Sequence, residues 1–454
     1  MKNKKLVADA WFKRKPYLHF DYALTKRKAV EYVKNPANVE KHGFSPFIYY
    51  EKISRRYKRD KTTRKLEVSQ KPRNIFYASH VDGYIYSYYS SILYDKYEAL
   101  LKNHDLDQNV IAYRRIEKNG QKYSNINFAS EVFDYIKCTS GCNVLCLDIQ
   151  GFFDKLSLIK LKEKWCQVLE VDRLPKDHYK VFWSLKKFHY VEEDDIIKYF
   201  GIKPRKHDIK EHGSSLRHRI CDYRQLKSTN NDEGIIKSKC NFGITGIPQG
   251  SPISGLLANI FMIDFDLALK SFVESRNGCY RRYSDDIFIA LPTSISFAEI
   301  ETFVVSILNI TSFDSLKIQH SKTEKTVYQI ESDGNPVCLR DGKTSRVQYL
   351  GFTFDGNRIH IRNSSISRNK LKICEVVRKY KKGNKAINTR KVFKAQSRRK
   401  ITPFDELPKK GFVYYAERAS RIQQSEEIVN QIKKNDRFIK NKIRQERGKA
   451  RNIP

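Results

Sequence analysis

Acidic residues stand at the ends of two separate apolar segments. Asp148 lies near the end of a strand-like run from Val144 to Ile149, and Asp285 and Asp286 occupy a tight turn within residues 280–291. A buried carboxylate is costly unless it is paired or holds a cation, because burial removes its hydration. Side chains alternate between the two faces of a strand, so both acids of the turn share a face only if the turn redirects one.

If the two acidic segments form neighbouring strands, Asp148 and Asp285 face one another across a sheet. Like-charged carboxylates repel unless a divalent cation lies between them, and oxygen ligands suit Mg²⁺. Two such ions about 3.5–4 Å apart activate a hydroxyl nucleophile and stabilise the leaving oxygen in phosphoryl transfer. A lone acidic pair at a turn is more often solvated than catalytic. Its occurrence together with Asp148 on apolar strands favours a metal site.

A third segment, from Gly246 to Ser254, is rich in glycine and proline. Such a loop is tight, and its backbone can be approached closely. Ser251 is a good N-cap and Pro252 a good first helical residue, which predicts a helix after the loop. The loop could lie against a nucleotide base and sugar, although taken alone it is more often an ordinary helix start.

Short strands alternate with helices in the rest of the sequence. Residues 280–291 have the pattern of two strands, and residues 347–354 with 358–361 have that of a further hairpin. From about residue 365 onwards the chain is helical in pattern and very basic. These elements predict an α/β or α+β core followed by a helical tail, and 454 residues allow about three domains.

The composition narrows the class of protein. Lys and Arg number 87 against 51 Asp and Glu, which gives a formal net charge of +36. A surface this basic favours a polyanion or an anionic membrane as partner. No run approaches the ~18 apolar residues of a spanning helix. Nine scattered Cys residues without a Cys-x-x-Cys pair indicate reduced thiols. We therefore expect a cytoplasmic protein that binds nucleic acid and has no membrane partner.

In this order, the three segments resemble the palm motifs of reverse transcriptases. Leu147–Ile149 with Phe152–Asp154 resembles the first catalytic motif, Gly246–Ser254 the Pro-Gln-Gly motif, and Tyr283–Asp286 the Tyr-x-Asp-Asp motif. Five or six ordered motifs are far more specific than any one alone. Three further matches are the fingers motif at Lys71–Ile75, the Lys-containing motif at His320–Thr323 and the primer-grip hairpin at Tyr349–Phe352.

The resemblance implies an α+β right-hand polymerase fold, with fingers, a palm built on an antiparallel sheet, and a helical thumb. Residues 1–355 would be fingers and palm, with a polar insertion at about 190–242. Residues 356–454 would be a basic helical thumb or C-terminal extension, which would hold duplex phosphates in a salt-dependent way.

The resemblance also implies a role for each site residue, with Mg²⁺ as the cofactor. The catalytic and metal-binding residues would be Asp148, Asp285 and Asp286, assisted by the carbonyl of Ile149. Phe153 occupies the position of an aromatic gate under the sugar, where its ring would clash with a ribose 2′-OH and favour deoxynucleotides. The nucleotide-binding residues would be Lys71, Arg73, Phe152, Phe153, Gln249, Gly250 and Lys322. The residues that hold the primer end would be Tyr349, Leu350, Gly351 and Phe352.

The implied function is RNA-directed DNA synthesis, in which two Mg²⁺ ions help to add deoxynucleoside triphosphates to a primer. Within the family the chain is most similar to the bacterial defence-associated and abortive-infection enzymes, because of its long polar stretch before Gly246 and its extended basic C-terminus. That similarity implies an antiphage role, a structured noncoding RNA as template, a DNA product and, in some members, homo-oligomers. Two alternatives remain open: a retron-type enzyme that makes RNA-linked DNA, and a non-catalytic RNA-binding protein on a polymerase scaffold.

Overall fold

The computed structural model describes residues 9–59, 66–205, 219–240, 245–312, 314–379, 392–393 and 411–451. Parts of two sequence predictions lie outside these residues. They are residues 206–218 and 241–242 of the expected polar insertion, and residues 380–391, 394–410 and 452–454 of the expected thumb. Among the helices of the described ranges, none is both long enough and apolar enough to cross a membrane.

The strands of the described residues are numbered in chain order. They are β1 (Phe47–Glu51), β2 (Ser54–Arg59), β3 (Leu66–Lys71), β4 (Asn74–Tyr77), β5 (Glu117–Lys118), β6 (Gln121–Lys122), β7 (Gly141–Asp148), β8 (Lys187–Glu192), β9 (Lys237–Cys240), β10 (Cys279–Tyr283), β11 (Asp286–Pro292), β12 (Glu324–Ile330), β13 (Pro336–Arg340), β14 (Lys343–Thr344), β15 (Val347–Tyr349), β16 (Phe352–Phe354) and β17 (Ile359–Ile361).

The helices are numbered in the same way. They are α1 (Lys26–Val33), α2 (Pro36–Glu40), α3 (His80–Asn103), α4 (Asn125–Lys137), α5 (Leu158–Leu169), α6 (Lys176–Lys186), α7 (Glu193–Phe200), α8 (Tyr223–Glu233), α9 (Ser254–Phe261), α10 (Ile263–Glu274), α11 (Phe297–Ser312), α12 (Asn363–Lys379), α13 (Phe412–Ile422), α14 (Glu426–Ile432) and α15 (Asn435–Arg451). Short 3₁₀ turns cover Phe152–Asp154 and His320–Lys322.

The chain divides into two compact units, each assembled from three stretches. Unit 1 contains residues 1–113, 149–269 and 304–318, and unit 2 contains residues 114–148, 270–303 and 319–454. The expected division by role, at about residue 355, remains a prediction.

Unit 1 is built on a four-stranded sheet in the order β4-β1-β8-β9, in which β1 and β8 are parallel and the other pairs antiparallel. Aromatic side chains connect this sheet to α3: the ring of Tyr86 stacks on those of Phe44 and Phe47, and Phe188 packs edge-on against Phe47 and Phe76. Each such pair contributes ~0.5–1.5 kcal/mol beyond the area it buries. This core accounts for part of the 12% aromatic content.

The segment expected to be a polar insertion contributes secondary structure to unit 1. It contains the end of β8 and all of α7, α8 and β9 within its described residues. Val191, Ile196 and Leu226 are buried in one cluster with Ile48 of β1. Polar residues separate these apolar positions in the sequence, so no apolar run is visible there. Together the buried side chains hold the segment against the sheet.

A six-stranded antiparallel sheet in the order β10-β11-β7-β12-β13-β14 forms the centre of unit 2. The run that ends in Asp148 is β7, which lies between β11 and β12. Val144, Leu145 and Phe288 have no exposed surface. An apolar strand with neighbours on both sides is rigid, so the acid at its end has a defined position.

A separate three-stranded sheet, β15-β16-β17, follows in unit 2. Each of its strands buries its first and third residues and leaves the middle one half-exposed. The Gln431 side chain of α14 covers the outer edge, since its amide accepts from the Ile361 N–H at 2.8 Å and donates to the Ile361 carbonyl at 3.0 Å. The α+β class predicted from the sequence is confirmed.

Candidate active site

Asp148 and Asp286 are direct partners across the central strand pair of unit 2. The antiparallel register of β7 and β11 places Asp148 opposite Asp286, followed by Leu147 opposite Ile287. Partners that lie directly opposite in a sheet have side chains on the same face, about 4.5–5.5 Å apart at Cβ. Two like charges therefore meet at the end of an apolar strand pair.

The turn between β10 and β11 adds the third carboxylate. Ser284 and Asp285 form a two-residue connection, with Tyr283 paired to Asp286. Ser284 has a left-handed φ of 64° and is buried. A positive φ at the first central position only is the pattern of a type II′ hairpin turn, whose twist matches that of the strands. The turn, and not strand alternation, determines where Asp285 points.

The three acids disfavour one another's charge. Desolvation raises the pKa of Asp285, with the negative charge of Asp148 adding to it. Desolvation, followed by the charges of Asp285 and Asp148, raises the pKa of Asp286 to about 7. Asp285 is half-buried and Asp286 is exposed. A cation that binds there would stabilise the ionised forms of Asp285 and Asp286.

Lys322 supplies one such cation. Its ammonium group donates a hydrogen bond to Oδ1 of Asp148, and the two form an ion pair. Sequence reasoning assigned Lys322 to nucleotide binding, whereas in this structure its partner is a carboxylate of the acidic group.

The acidic group offers the kind of ligand that the implied Mg²⁺ takes. Among the described residues, no three His, Cys, Asp or Glu side chains are already arranged to hold a metal ion. A closed set of protein ligands is not what Mg²⁺ requires, because it usually binds one or two carboxylates together with water and substrate phosphates. The oxygen donors, their like charge and the raised pKa of Asp285 and Asp286 all fit that ion.

The hairpin predicted as a primer grip forms in unit 2. Tyr349 and Phe352 are paired across β15 and β16, and the connection between them has positive φ at both positions, 43° at Leu350 and 93° at Gly351. Positive φ at both central residues is the pattern of a type I′ turn. Tyr349 packs its ring against Phe288 of β11 at 4.9 Å. The buried ring ties the hairpin to the strand that carries Asp286.

Polar contacts that sequence reasoning missed also tie this hairpin to the six-stranded sheet. Glu324 of β12 accepts a hydrogen bond from Gln348 Nε2 of the hairpin at 3.3 Å, and Arg340 of the neighbouring β13 donates to the same carboxylate at 3.0 Å. On the other side of the hairpin, the Asn125 amide of α4 donates to the Leu350 carbonyl at 3.0 Å. Isolated Glu, Arg and Asn residues give no periodic signal, so only the folded chain reveals these links.

Phe152 and Phe153 lie in unit 1, on the 3₁₀ turn that follows β7. Phe152 is buried and Phe153 is half-buried. The Ile247 N–H donates to the Phe153 carbonyl at 2.9 Å, and a Cβ on Gly246 would lie 2.7 Å from the Asp154 carbonyl oxygen. The Pro-Gln-Gly loop therefore packs directly on the turn that carries Phe153, and only glycine fits at position 246.

Gln249 and Gly250 lie against the edge of the unit 1 sheet. The Phe76 N–H of β4 donates to the Gln249 carbonyl at 2.8 Å, and Gly250 has a φ of 116° with its missing Cβ only 2.6 Å from the Phe76 carbonyl. The predicted helix start was wrong by two residues: Ile253 is the N-cap and α9 begins at Ser254. The Ser254 hydroxyl donates instead to the Pro248 carbonyl at 2.7 Å, which closes the loop.

Lys71 and Arg73 both lie just before β4 in unit 1. Lys71 ends β3 and is half-buried. Arg73 exchanges two backbone hydrogen bonds with Lys52, and its side chain is exposed. The exposed guanidinium is available to an anion.

The structure thus groups the predicted site residues by unit. Asp148, Asp285, Asp286, Lys322 and the hairpin Tyr349–Phe352 belong to unit 2. The predicted residues of unit 1 are Lys71, Arg73, Ile149, Phe152, Phe153, Gln249 and Gly250.

The acidic group makes the stability of the metal-free protein depend on pH. The raised pKa of Asp286 means that the folded state keeps a proton which the unfolded chain releases, so stability falls as the pH rises from about 4 to about 7. We expect Asp286→Asn to remove this decline. In EDTA, the melting temperature of the variant should rise relative to wild type between pH 5 and pH 8.

The control for this measurement is Asp341→Asn, which changes an exposed carboxylate in the turn between β13 and β14. Its difference from wild type should be the same at both pH values. An equally constant difference for Asp286→Asn would contradict the electrostatic reading of the site.

The sequence and the structure were then compared with known proteins. Residues 205–354, about a third of the chain, match the family model described as reverse transcriptase (RNA-dependent DNA polymerase). The match includes Gln249, Gly250, Asp285, Asp286 and the hairpin Tyr349–Phe352, and it begins after Asp148. A comparison with the curated proteins gave no match.

Several telomerases are among the similar solved structures. They include apo telomerase from Candida tropicalis truncated from its C-terminal domain (12% identity, 69% of this chain and 54% of that one, TM-score 0.41). A second structure of apo telomerase from Candida tropicalis gives 13% identity over 74% of this chain and 52% of that one, with a TM-score of 0.39. Telomerase from Candida albicans in complex with the TWJ fragment of telomeric RNA gives 13% identity over 92% of this chain and 65% of that one, with a TM-score of 0.38. The chain spans about half the length of the first two.

The family match and the antiparallel sheet agree on one assignment. The predicted α+β right-hand polymerase fold is confirmed. Residues 205–354 match the reverse transcriptase family, whose enzyme class is RNA-directed DNA polymerase, a nucleotidyltransferase.

Proposed function

We propose that this protein copies an RNA template into DNA by adding deoxynucleotides to a primer. The observation that carries the proposal is the cross-strand pairing of Asp148 with Asp286, with Asp285 in the adjoining turn. Carboxylates of like charge at one strand end are unfavourable by themselves. Metal-dependent phosphoryl transfer requires such a group of carboxylates, because they hold the metal ions. The acids stand out in a chain of net charge +36.

Asp148, Asp285 and Asp286 would hold Mg²⁺, with the Ile149 carbonyl assisting. The bound metal would activate the primer hydroxyl and neutralise charge on the transferred phosphate. Lys322, which here pairs with Asp148, would keep positive charge beside the carboxylates and the nucleotide. Little covalent chemistry is then left to the protein, whose task is positioning and charge neutralisation.

The nucleotide would be held by residues of unit 1. Lys71 and Arg73 would contact its triphosphate, and Gln249 and Gly250 its base and sugar. Gly250 approaches β4 so closely that a side chain is excluded there, which keeps the loop backbone accessible. Phe152 is buried and packs edge-on against the ring of Phe153. The Phe153 ring would contact the sugar.

The primer end would be held by the hairpin Tyr349–Phe352. A cleft of about 870 Å³ lies beside it, and four arginines line it: Arg340, Arg346, Arg358 and Arg362. Arg362 is also close enough to Asp286 to lower the pKa of that carboxyl, against the larger effects that raise it. Guanidinium groups bind phosphate oxygens in pairs. Asp355 also lines the cleft, so the net charge of its lining is positive but smaller than four, which supports a nucleic-acid backbone as its occupant.

The exposed cations of α12 extend this basic surface. Arg368, Lys370 and Lys372 are exposed, while Ile373 and Val377 of the same helix are buried against Ile439 and Ile443 of α15. The apolar face fixes the helix and leaves its basic face free for phosphates, in the role predicted for the thumb. Binding of a duplex there would weaken steeply with salt.

The carboxylates provide the direct test of the proposed function. We expect Asp285→Asn and Asp286→Asn each to reduce incorporation of deoxynucleotides by at least about 100-fold, because removing a preorganised charged group from such a site costs this much or more. Binding of a primer–template duplex should persist in both variants. Primer extension with purified protein, Mg²⁺ and labelled duplex gives the rate, and filter binding gives the affinity.

Asp341→Asn is the matched control, since it removes a carboxylate of the same unit outside the acidic group. It should retain the wild-type rate. Full synthesis by the Asp285→Asn or Asp286→Asn variant would exclude these acids from catalysis. Absence of synthesis by the wild type, with duplex still bound, would favour the non-catalytic RNA-binding alternative.

The gate role of Phe153 has its own test. Phe153→Ala removes the ring that would clash with a 2′-OH, so we expect ribonucleotides to be incorporated more readily while deoxynucleotides are still used. The measurement is the ratio of kcat/KM for a deoxynucleotide to that for its ribonucleotide. An unchanged ratio would show that another group selects the sugar.

We further propose that the enzyme works in the bacterial cytoplasm in antiphage defence, with a structured noncoding RNA as template and with homo-oligomers as one form. The resemblance to defence-associated enzymes supports this, and the basic surface provides for an RNA partner. Sequencing the nucleic acid bound to the protein, before and during phage challenge, tests it. One dominant structured RNA and its complementary DNA are expected, whereas a branched RNA-linked DNA would identify a retron-type enzyme instead.

A further inference from the structure

Tyr113 is an unusual residue beside the gate that no motif singled out. Its ring is 50% exposed, and its backbone has a left-handed φ of 59°. For a bulky aromatic residue this conformation is strained, and such strain persists only where the surrounding structure imposes it. Tyr113 and Phe153 both belong to unit 1.

The surroundings of Tyr113 do impose this conformation. The preceding carbonyl, of buried Ala112, accepts a hydrogen bond at 2.8 Å from the amide of Asn259, which has no exposed surface. On α9, a Cβ at Gly255 would lie only 2.9 Å from the Tyr113 ring. The helix that follows the Pro-Gln-Gly loop therefore anchors the backbone at Ala112 and leaves room for the ring at Gly255.

The ring held in this way contacts Phe153. The two ring centroids are 6.5 Å apart with planes at 75°, an edge-to-face arrangement. Phe153 also contacts the ring of Phe152, with centroids 5.6 Å apart, and its carbonyl accepts the backbone hydrogen bond from Ile247. The backbone and one side of the Phe153 ring are thus fixed by the loop and by Phe152, and Tyr113 supports the ring from a further direction.

We propose that Tyr113 is a positioning residue for sugar selection, which holds the Phe153 ring in the orientation that rejects a 2′-OH. This inference rests on the proposed polymerase function. A gate of one half-buried ring excludes a hydroxyl only if the ring cannot turn aside. The strained backbone, the Gly255 recess and the Asn259 anchor are explained together by the need to keep a second ring against the first.

The test measures the ratio of kcat/KM for a deoxynucleotide to that for its ribonucleotide. We expect Tyr113→Ala to lower this ratio about three- to tenfold, which corresponds to the loss of one aromatic edge contact. Tyr113→Phe keeps the ring and should retain the wild-type ratio. Tyr113→Gly removes the ring while its backbone adopts a positive φ without strain, so its ratio should fall even if the Ala variant folds poorly.

The controls separate this inference from the proposed function. Tyr223→Ala removes a 75% exposed tyrosine of the same unit and should leave the ratio unchanged. In a Phe153→Ala background, Tyr113→Gly should have no further effect, because the residue acts through the ring that is already absent.

A wild-type ratio in Tyr113→Gly, combined with a lowered ratio in Phe153→Ala, would overturn the role of Tyr113 alone. Additive effects of the two changes would overturn its action through Phe153. A wild-type enzyme that incorporates no nucleotide would overturn the inference together with the function on which it rests.

Discussion

Repulsion between Asp148 and Asp286 is the constraint on which the rest of unit 2 depends. Two carboxylates placed opposite each other in a sheet destabilise it, and the apolar strand pair behind them has to outweigh that cost. Val144, Leu145 and Phe288 have no exposed surface, and β7 has strand partners on both sides. A rigid apolar sheet can hold like charges together, whereas a loop would let them separate. The strand core therefore sets the position of the chemistry as well as the stability of the unit.

The hairpin Tyr349–Phe352, predicted as a primer grip, shows how a second element is placed relative to these acids. It belongs to another sheet, so no ladder of backbone hydrogen bonds joins it to β7 or β11. Side chains make the connection: the Tyr349 ring on Phe288, and the Glu324 carboxylate between Arg340 and Gln348. Links through side chains are fewer and more local than a strand ladder. The position of the hairpin relative to the acids therefore depends on individual side-chain contacts such as those of Tyr349 and Glu324.

Local sequence patterns predicted the parts of the site that local forces determine. The apolar run before Asp148 and the turn at Ser284 and Asp285 follow from strand periodicity and turn chemistry. The pattern of residues 347–354 predicted one arm of a hairpin, whereas the structure turns the chain at Leu350 and Gly351 and pairs the two halves of that run with each other. The predicted start of α9 was wrong by two residues. The Ser254 hydroxyl, and not that of Ser251, closes the loop by donating to the Pro248 carbonyl. Lys322 and Glu324 find their partners only in the folded chain, as does Tyr113. Contacts between distant parts of the sequence have no periodic signature, so those partners could not be predicted.

Gln431 has a consequence for how the protein behaves in a crowded solution. An open sheet edge presents unpaired amides and carbonyls to which a strand of another molecule can add. At β17 one side-chain amide binds both polar groups of Ile361, and the Ser425 hydroxyl donates to the Ile359 carbonyl at 2.7 Å. This border of the sheet is closed by α14 without an additional strand. Self-association of copies by strand addition is thereby blocked at this border.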